Sequence, residues 1–171
     1  MAHDDIEPTR EWQLQIEAAL DTCQALVALL HPAFHKSKWT DQEIGFVMGR
    51  RVPVFAVRLG EDPYGFIGRF QAFNGNGRPR AALALELFEC FVKHSQLQRD
   101  MSDVTVGLFE ASNNYMDARS RVNNLELLEF WDQTYSDRVL EALKQNSQVS
   151  GAFGVRKKVE ALVQKWGASN G

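Results

Sequence analysis

The sequence has few cysteines and no long apolar run. Cys23 and Cys90 are the two cysteines in 171 residues, and they lie far apart with no CxxC spacing and no histidine cluster. We therefore expect no metal site, and two buried, reduced thiols. No apolar run approaches the roughly 18–20 residues that span a bilayer, and residues 1–7 lack the apolar core of a signal peptide. We expect a cytoplasmic protein that does not enter a membrane.

Neither sign of charge dominates the chain. The formal net charge is −3, with 24% charged and 44% hydrophobic residues. These values are ordinary for a soluble globular protein and give no electrostatic reason to expect nucleic acid or an anionic membrane as a partner. The length suits one core-bearing domain with an appended subdomain.

The first sixty residues alternate between helical and strand patterns. Apolar residues recur at steps of three and four from Trp12 to Cys23, which predicts an amphipathic helix that Thr9 could cap. Two continuous apolar runs, ALVALL at 25–30 and VPVFAV at 52–57, predict strands buried on both faces. A polar linker at 31–37 and a second helix over about 38–51 lie between them. This order predicts a doubly wound α/β domain with parallel strands.

The remaining chain is predicted to be a loop followed by helices. Residues 60–77 are rich in glycine and aromatic residues, and we expect a loop with a short strand near 70–73 whose rings pack back onto the core. We place a domain boundary near Gly77, which separates residues 1–77 from a helical part at 78–171. The helical patterns fall at 82–92, 104–111, 115–128, 137–145 and 155–166, with a turn-rich break at 146–154.

The most informative side chains are at the start of the second predicted helix. In open parallel sheets, ligands bind beyond the carboxyl ends of the strands. Trp39 and Glu43 follow such an end, and their i, i+4 spacing puts them on one helix face. Two structural alternatives remain open. Thr40 and Glu43 also fit a capping box, in which the glutamate satisfies only a backbone N–H, and Trp39 could be a core or rim aromatic.

Three segments carry a resemblance to a known family. HDDIEPTREWQLQIEAAL, QALVALLHPAFHKSKWTDQEIGFVMGRRVPVFAVRLG and DPYGFIGRFQAF together resemble bacterial TIR (Toll/interleukin-1 receptor) domains from the BB loop through the fourth strand, over about residues 2–75. The stretch S-x-W-x-x-x-E is the most specific part, and here it consists of Ser37, Trp39 and Glu43. The resemblance implies a flavodoxin-like fold.

The resemblance also implies a function. Many TIR domains hydrolyse NAD⁺ to nicotinamide plus ADP-ribose or a cyclic variant, with the glutamate that matches Glu43 as the catalytic residue. NAD⁺ would be a substrate rather than a cofactor. Trp39, Trp12 and Ser37 would bind the dinucleotide. Asp4 would lie in the BB loop beside the site, together with His3 and Asp5. Trp12 could instead be a core anchor at the helix start, and the acidic residues a solvated loop.

The resemblance starts late in the family's fold. A complete TIR domain has a strand, a helix and a second strand before the BB loop, whereas here the BB-loop match follows Met1 almost at once. We therefore expect a flavodoxin-like parallel sheet that is truncated at its N-terminus and leaves the strand at 25–30 with an open apolar edge. The chain could be a fragment, could pair that edge with another chain, or could cover it with its C-terminal helices.

Other functions stay open beside the enzyme. TIR domains also serve as non-catalytic adaptors that bind other TIR domains through the BB loop, and we expect a homo-oligomer in either case. A sensor that binds NAD⁺ or ADP-ribose without cleaving it is a weaker option. For the helical C-terminal part, the alternatives are a cap or oligomerisation arm and a separate interaction module.

Overall fold

The chain forms two compact units, residues 1–84 and 85–171, and each has its own core. A computed structural model describes residues 10–37 and 39–169. In the first unit, the described helices and strands are α1 (Arg10–Thr22), β1 (Leu26–Leu30), α2 (Thr40–Gly49), β2 (Val54–Arg58) and β3 (Phe73–Asn74). Helix α3 (Arg80–Lys93) continues into the second unit.

The strands form one parallel sheet in the order β1-β2-β3. Strand β1 pairs with β2 from Leu26 opposite Val54 to Leu30 opposite Arg58. Strand β3 adds a short pairing at Val57 with Phe73. The predicted helix–strand order and the parallel α/β class are therefore confirmed, and the predicted short strand lies at 73–74 instead of 70–73.

The two main strands differ in burial. Phe55, Ala56 and Val57 of β2 are buried in succession, as predicted for a strand covered on both faces. Strand β1 differs from that prediction, because Leu29 is 48% exposed while Ala28 and Leu30 are buried. Among the described residues β1 pairs only with β2, so β1 is an edge strand. The face of β1 that carries Leu29 is open to solvent.

Two expectations for the loops are wrong. The segment 31–37 is not simply polar, because it forms a short 3-10 helix, Phe34–Lys36, that buries Phe34 in the core beneath β1. In the loop after β2, Tyr64 and Phe70 pack against that core, but Phe66 is 73% exposed. Phe66 lies in a 3-10 turn, Gly65–Ile67, which buries its neighbour Ile67, and this turn directs the two side chains apart.

The second unit is helical. Its core includes Phe109, Leu125 and Val139, each essentially inaccessible to solvent. Helix α4 begins six residues earlier than predicted, and the hydroxyls of Ser102 and Thr105 in its interior donate to backbone carbonyls one turn earlier. The described helices after α3 are α4 (Gln98–Glu110), α5 (Tyr115–Leu125), α6 (Gln133–Gln145), α7 (Ser147–Ser150) and α8 (Val155–Ser169). Helix α7 occupies the predicted break.

Cys23 and Cys90 are both free and only half-buried, so the predicted full burial is wrong. Burial nevertheless raises the pKa of the Cys90 thiol, which disfavours its reactive thiolate form. Within residues 10–37 and 39–169, no group of three histidine, cysteine or acidic side chains could hold a metal ion. None of the helices in the described part of the chain is long and apolar enough to cross a membrane.

Candidate functional site

A cleft of about 530 Å³ lies between α1 and α2. We call it the α1–α2 cleft. The chain passes from α1 through β1 to α2. The cleft is within the size range of small-molecule sites. Its lining residues are Gln13, Leu14, Ile16, Glu17, Ala18, Leu20 and Asp21 of α1, and Trp39, Gln42, Glu43 and Phe46 at and within α2.

Trp39 and Glu43 lie on the same wall of the cleft, as their spacing indicated. Trp39 is 39% exposed, and Glu43 is half-buried in the first turn of α2. Since α2 is the helix that follows the carboxyl end of β1, this carboxylate stands where open parallel sheets place ligands. A flat ring and a partly desolvated carboxylate thus share one surface.

The threonine side chain does not make the hydrogen bond that a capping box with Glu43 requires. The N-cap residue of α2 is Trp39, which makes no side-chain cap, and the Glu43 amide donates to the Trp39 carbonyl at 2.9 Å. The Thr40 hydroxyl instead donates to the carbonyl of Phe34 at 3.1 Å. Thr40 therefore ties the start of α2 to the 3-10 helix and does not cap Glu43.

Ser37, predicted to bind the substrate, contacts the backbone of Trp39 instead of the cleft. It is not among the residues that line the cleft. Its side-chain oxygen accepts a hydrogen bond from the Trp39 amide at 3.3 Å. The serine of the S-x-W-x-x-x-E stretch thus orients the backbone that carries Trp39.

The charge of the cleft is negative. Glu17 and Asp21 of α1 join Glu43, and no lysine or arginine is among the described lining residues. Arg50, just beyond α2, donates through Nη1 to the carbonyls of Leu20 and Cys23 at the end of α1. This contact joins the end of α2 to the end of α1. The cleft favours a ligand group that is flat and carries or develops positive charge.

A second cluster of polar groups lies on the other side of α2. The Tyr64 hydroxyl donates to Asp41 Oδ1 at 2.5 Å, and the His35 ring packs on the Tyr64 ring with centroids 4.1 Å apart. His35 Nε2 is also 3.4 Å from a Glu61 carboxylate oxygen. Burial and the Asp41 carboxylate raise the pKa of Tyr64 to about 12. This cluster holds the loop after β2 against α2.

Several predicted site residues fall outside the described structure. His3, Asp4 and Asp5 precede residue 10, and of Trp12 only the backbone, within α1, is described. Sequence reasoning missed the acidic wall of α1. Glu17 and Asp21 are spaced by four residues on one exposed helix face, and that spacing was the available signal.

This first unit is an open parallel α/β domain with a cleft between α1 and α2. Its family follows from comparison with known proteins: the sequence profile described as TIR domain matches residues 1–87, about half of the chain. The chain belongs to the TIR domain family. TIR domains act in signalling and commonly interact with other TIR domains. Neither the curated proteins nor the solved structures gave a significant match.

Proposed function

We propose that this TIR domain binds NAD⁺ in the α1–α2 cleft and cleaves the bond between nicotinamide and ribose. The observation that carries the proposal is the placement of Glu43, half-buried on the cleft wall beside the exposed Trp39 ring. Trp39 offers a stacking surface for the nicotinamide or adenine ring. Nicotinamide and ADP-ribose, or a cyclic form of the latter, are the products.

The reaction needs one well-placed carboxylate. The bond from nicotinamide nitrogen to ribose C1′ breaks with both electrons on the nitrogen, so nicotinamide leaves as a neutral base and needs no acid. The ribose is left with oxocarbenium character, as in glycoside cleavage. Glu43 accepts hydrogen bonds from the ribose hydroxyls and stabilises the positive charge as it develops. Water then adds at C1′ and releases its proton.

The charge of the cleft suits the nicotinamide end of the substrate. The pyridinium ring of NAD⁺ is cationic, and Glu17, Asp21 and Glu43 give the cleft a negative field. The diphosphate is anionic and finds no cationic side chain among the described lining residues. We therefore place nicotinamide and its ribose in the cleft and the diphosphate towards its mouth.

The test is nicotinamide release from NAD⁺ by the concentrated protein, measured by chromatography. We expect Glu43→Gln to lower the rate by at least about 100-fold, the scale of losing one transition-state electrostatic partner. Glu17→Gln is the matched control, since it removes a carboxylate from the opposite wall of the same cleft. That control should lower the rate far less, and both variants should keep the parental unfolding temperature. Parental turnover by Glu43→Gln would remove the catalytic assignment.

A non-catalytic interaction surface is the second candidate. Leu14 of α1 and Phe46 of α2 line the α1–α2 cleft and are 58% and 48% exposed. Apolar side chains on two adjacent helices suit another protein as well as a nucleotide. Absence of nicotinamide at every protein concentration, with a mass that rises with concentration in light scattering, would favour an adaptor over an enzyme.

A further inference from the structure

The second unit has a cleft of its own, far along the sequence from Glu43. It measures about 650 Å³ and lies between α5 and the start of α8. We call it the α5–α8 cleft. Met116, Arg119, Ser120 and Asn123 project from one face of α5, and Phe153 and Lys158 complete the walls. Lys158 Nζ donates to Asn123 Oδ1 at 2.7 Å and to the Glu126 carboxylate at 2.9 Å. The charge of Lys158 is therefore balanced within the unit.

Two large apolar side chains at this cleft face solvent. Phe153 is 88% exposed and Met116 is 80% exposed. Phe153 is held outward by its neighbours, since Ala152 is buried and Gly154 has φ +80 in the left-handed region. Apolar side chains presented side by side at a concave surface are a usual mark of an interaction site.

Most of the charges around the cleft that lack a described ion pair are positive. Arg119 lies in the wall, and Arg156 and Lys157 follow Phe153 in the first turn of α8. These three cations make no ion pair with any described residue, whereas Asp117 of α5 pairs with Arg121. Asp117, the acidic residue nearest to Arg119 along α5, is thus paired, and the three cations outnumber Glu160, the acidic residue that follows them in the next turn of α8.

We propose that the α5–α8 cleft docks a protein segment in which an apolar side chain is flanked by carboxylates. The apolar residue packs between Phe153 and Met116, and its acidic neighbours face Arg119 and the first turn of α8. The concave wall with polar Ser120 and Asn123 fits a side chain that enters it, which favours a protein over a flat lipid surface. The family match, at residues 1–87, does not include this surface.

The test uses the full-length chain as bait for a display library of random linear peptides. Enriched sequences should share one large apolar residue with aspartate or glutamate on both sides. A synthetic peptide of that sequence should lose at least about 20-fold in affinity for Phe153→Ser, as expected for an aromatic anchor. Arg119→Glu should also weaken it, and added salt should weaken binding to the parent.

The matched control is Val104→Ser, which changes a 56% exposed apolar residue on α4 outside the cleft. It should leave peptide affinity unchanged, and circular dichroism should show all three variants folded. The proposal would be overturned if no peptide were enriched, or if the enriched peptides lacked acidic residues. Peptide binding that survives Phe153→Ser would overturn it too. Phosphatidylserine vesicles that sediment the parent but not Phe153→Ser would also overturn it and assign the surface to a membrane.

Discussion

Arg50 joins the two helices that form the α1–α2 cleft, and its replacement tests how the cleft is held. Its Nη1 atom donates to the Leu20 carbonyl and, at 3.4 Å, to the Cys23 carbonyl. These carbonyls lie at the C-terminal end of α1, where the last groups have no partner within the helix and the helix dipole is negative. A cation at this end stabilises α1 both by hydrogen bonds and by charge.

The size of the effect follows from the exposure of Arg50. A hydrogen bond from a charged donor contributes about 1.5–3 kcal/mol when shielded from water, but the Arg50 side chain is exposed. The dipole interaction adds about 0.3–1 kcal/mol at a surface. With solvent screening, we expect Arg50→Met to destabilise the closed state of α1 by about 1–1.5 kcal/mol. This corresponds to an increase of about 5- to 12-fold in the population of locally opened α1, since about 1.4 kcal/mol is tenfold.

Hydrogen exchange of peptides from α1, followed by mass spectrometry, measures this opening directly. Exchange in α1 should accelerate in Arg50→Met, while exchange in α6 of the second unit should not change. Arg50→Lys is the matched variant, because it keeps the charge but loses the planar donor, and we expect about half the effect. Unchanged exchange in α1 for Arg50→Met would refute the account of the helix pair.

Two further variants test the packing around the sheet. Tyr64→Phe removes the hydrogen bond to Asp41, and we expect stability at neutral pH to fall by about 1 kcal/mol. Because Tyr64 has a folded pKa of about 12 against 10 for the free side chain, the unfolded chain deprotonates first. The parent's stabilisation by this hydroxyl is therefore complete below pH 10 and lost as pH rises through about 12. In urea unfolding between pH 10 and 12, the free energy of unfolding should fall more steeply with pH for the parent than for Tyr64→Phe. Equal slopes for the two proteins would contradict this role of the Tyr64 hydroxyl. Gly75→Ala would bring a Cβ to 2.5 Å from Leu59 Cδ2. We therefore expect about 1–3 kcal/mol of destabilisation and faster hydrogen exchange in β2. The control is Gly49→Ala at the end of α2, where a Cβ meets no atom within 4 Å and should not destabilise the protein.

Much of the first unit could be predicted because its signals are local. The run at 25–30 and the 3.6-residue pattern of α2 depend on side chains that are close in sequence, and both elements lie within two residues of the prediction. The prediction failed where burial depends on neighbours in space. Leu29 is exposed between the buried residues Ala28 and Leu30, and the burial of Phe34 follows from a 3-10 turn.

In the candidate site, too, local features could be predicted and contacts between distant segments could not. The i, i+4 spacing placed Trp39 and Glu43 on one face, and the structure has them on one cleft wall. The opposite wall comes from α1, about 20 to 30 residues earlier, and no pattern within the sequence pairs these two helices. The hydrogen-bond partner of the Thr40 hydroxyl could not be predicted either. A hydroxyl that can cap a helix can also donate to a carbonyl such as that of Phe34. The backbone conformation at the start of α2 determines which of these two hydrogen bonds Thr40 makes.

The two units divide the buried apolar side chains unevenly. Among the described residues, nine are in the first unit and eighteen in the second. Stabilisation grows with the apolar surface removed from water, so warming should open the unit that carries the α1–α2 cleft before the helical unit. Most of the helical signal in circular dichroism would persist through that first step. An assay of the cleft run near the onset of melting would then lose its signal in a sample that still looks folded by helix content.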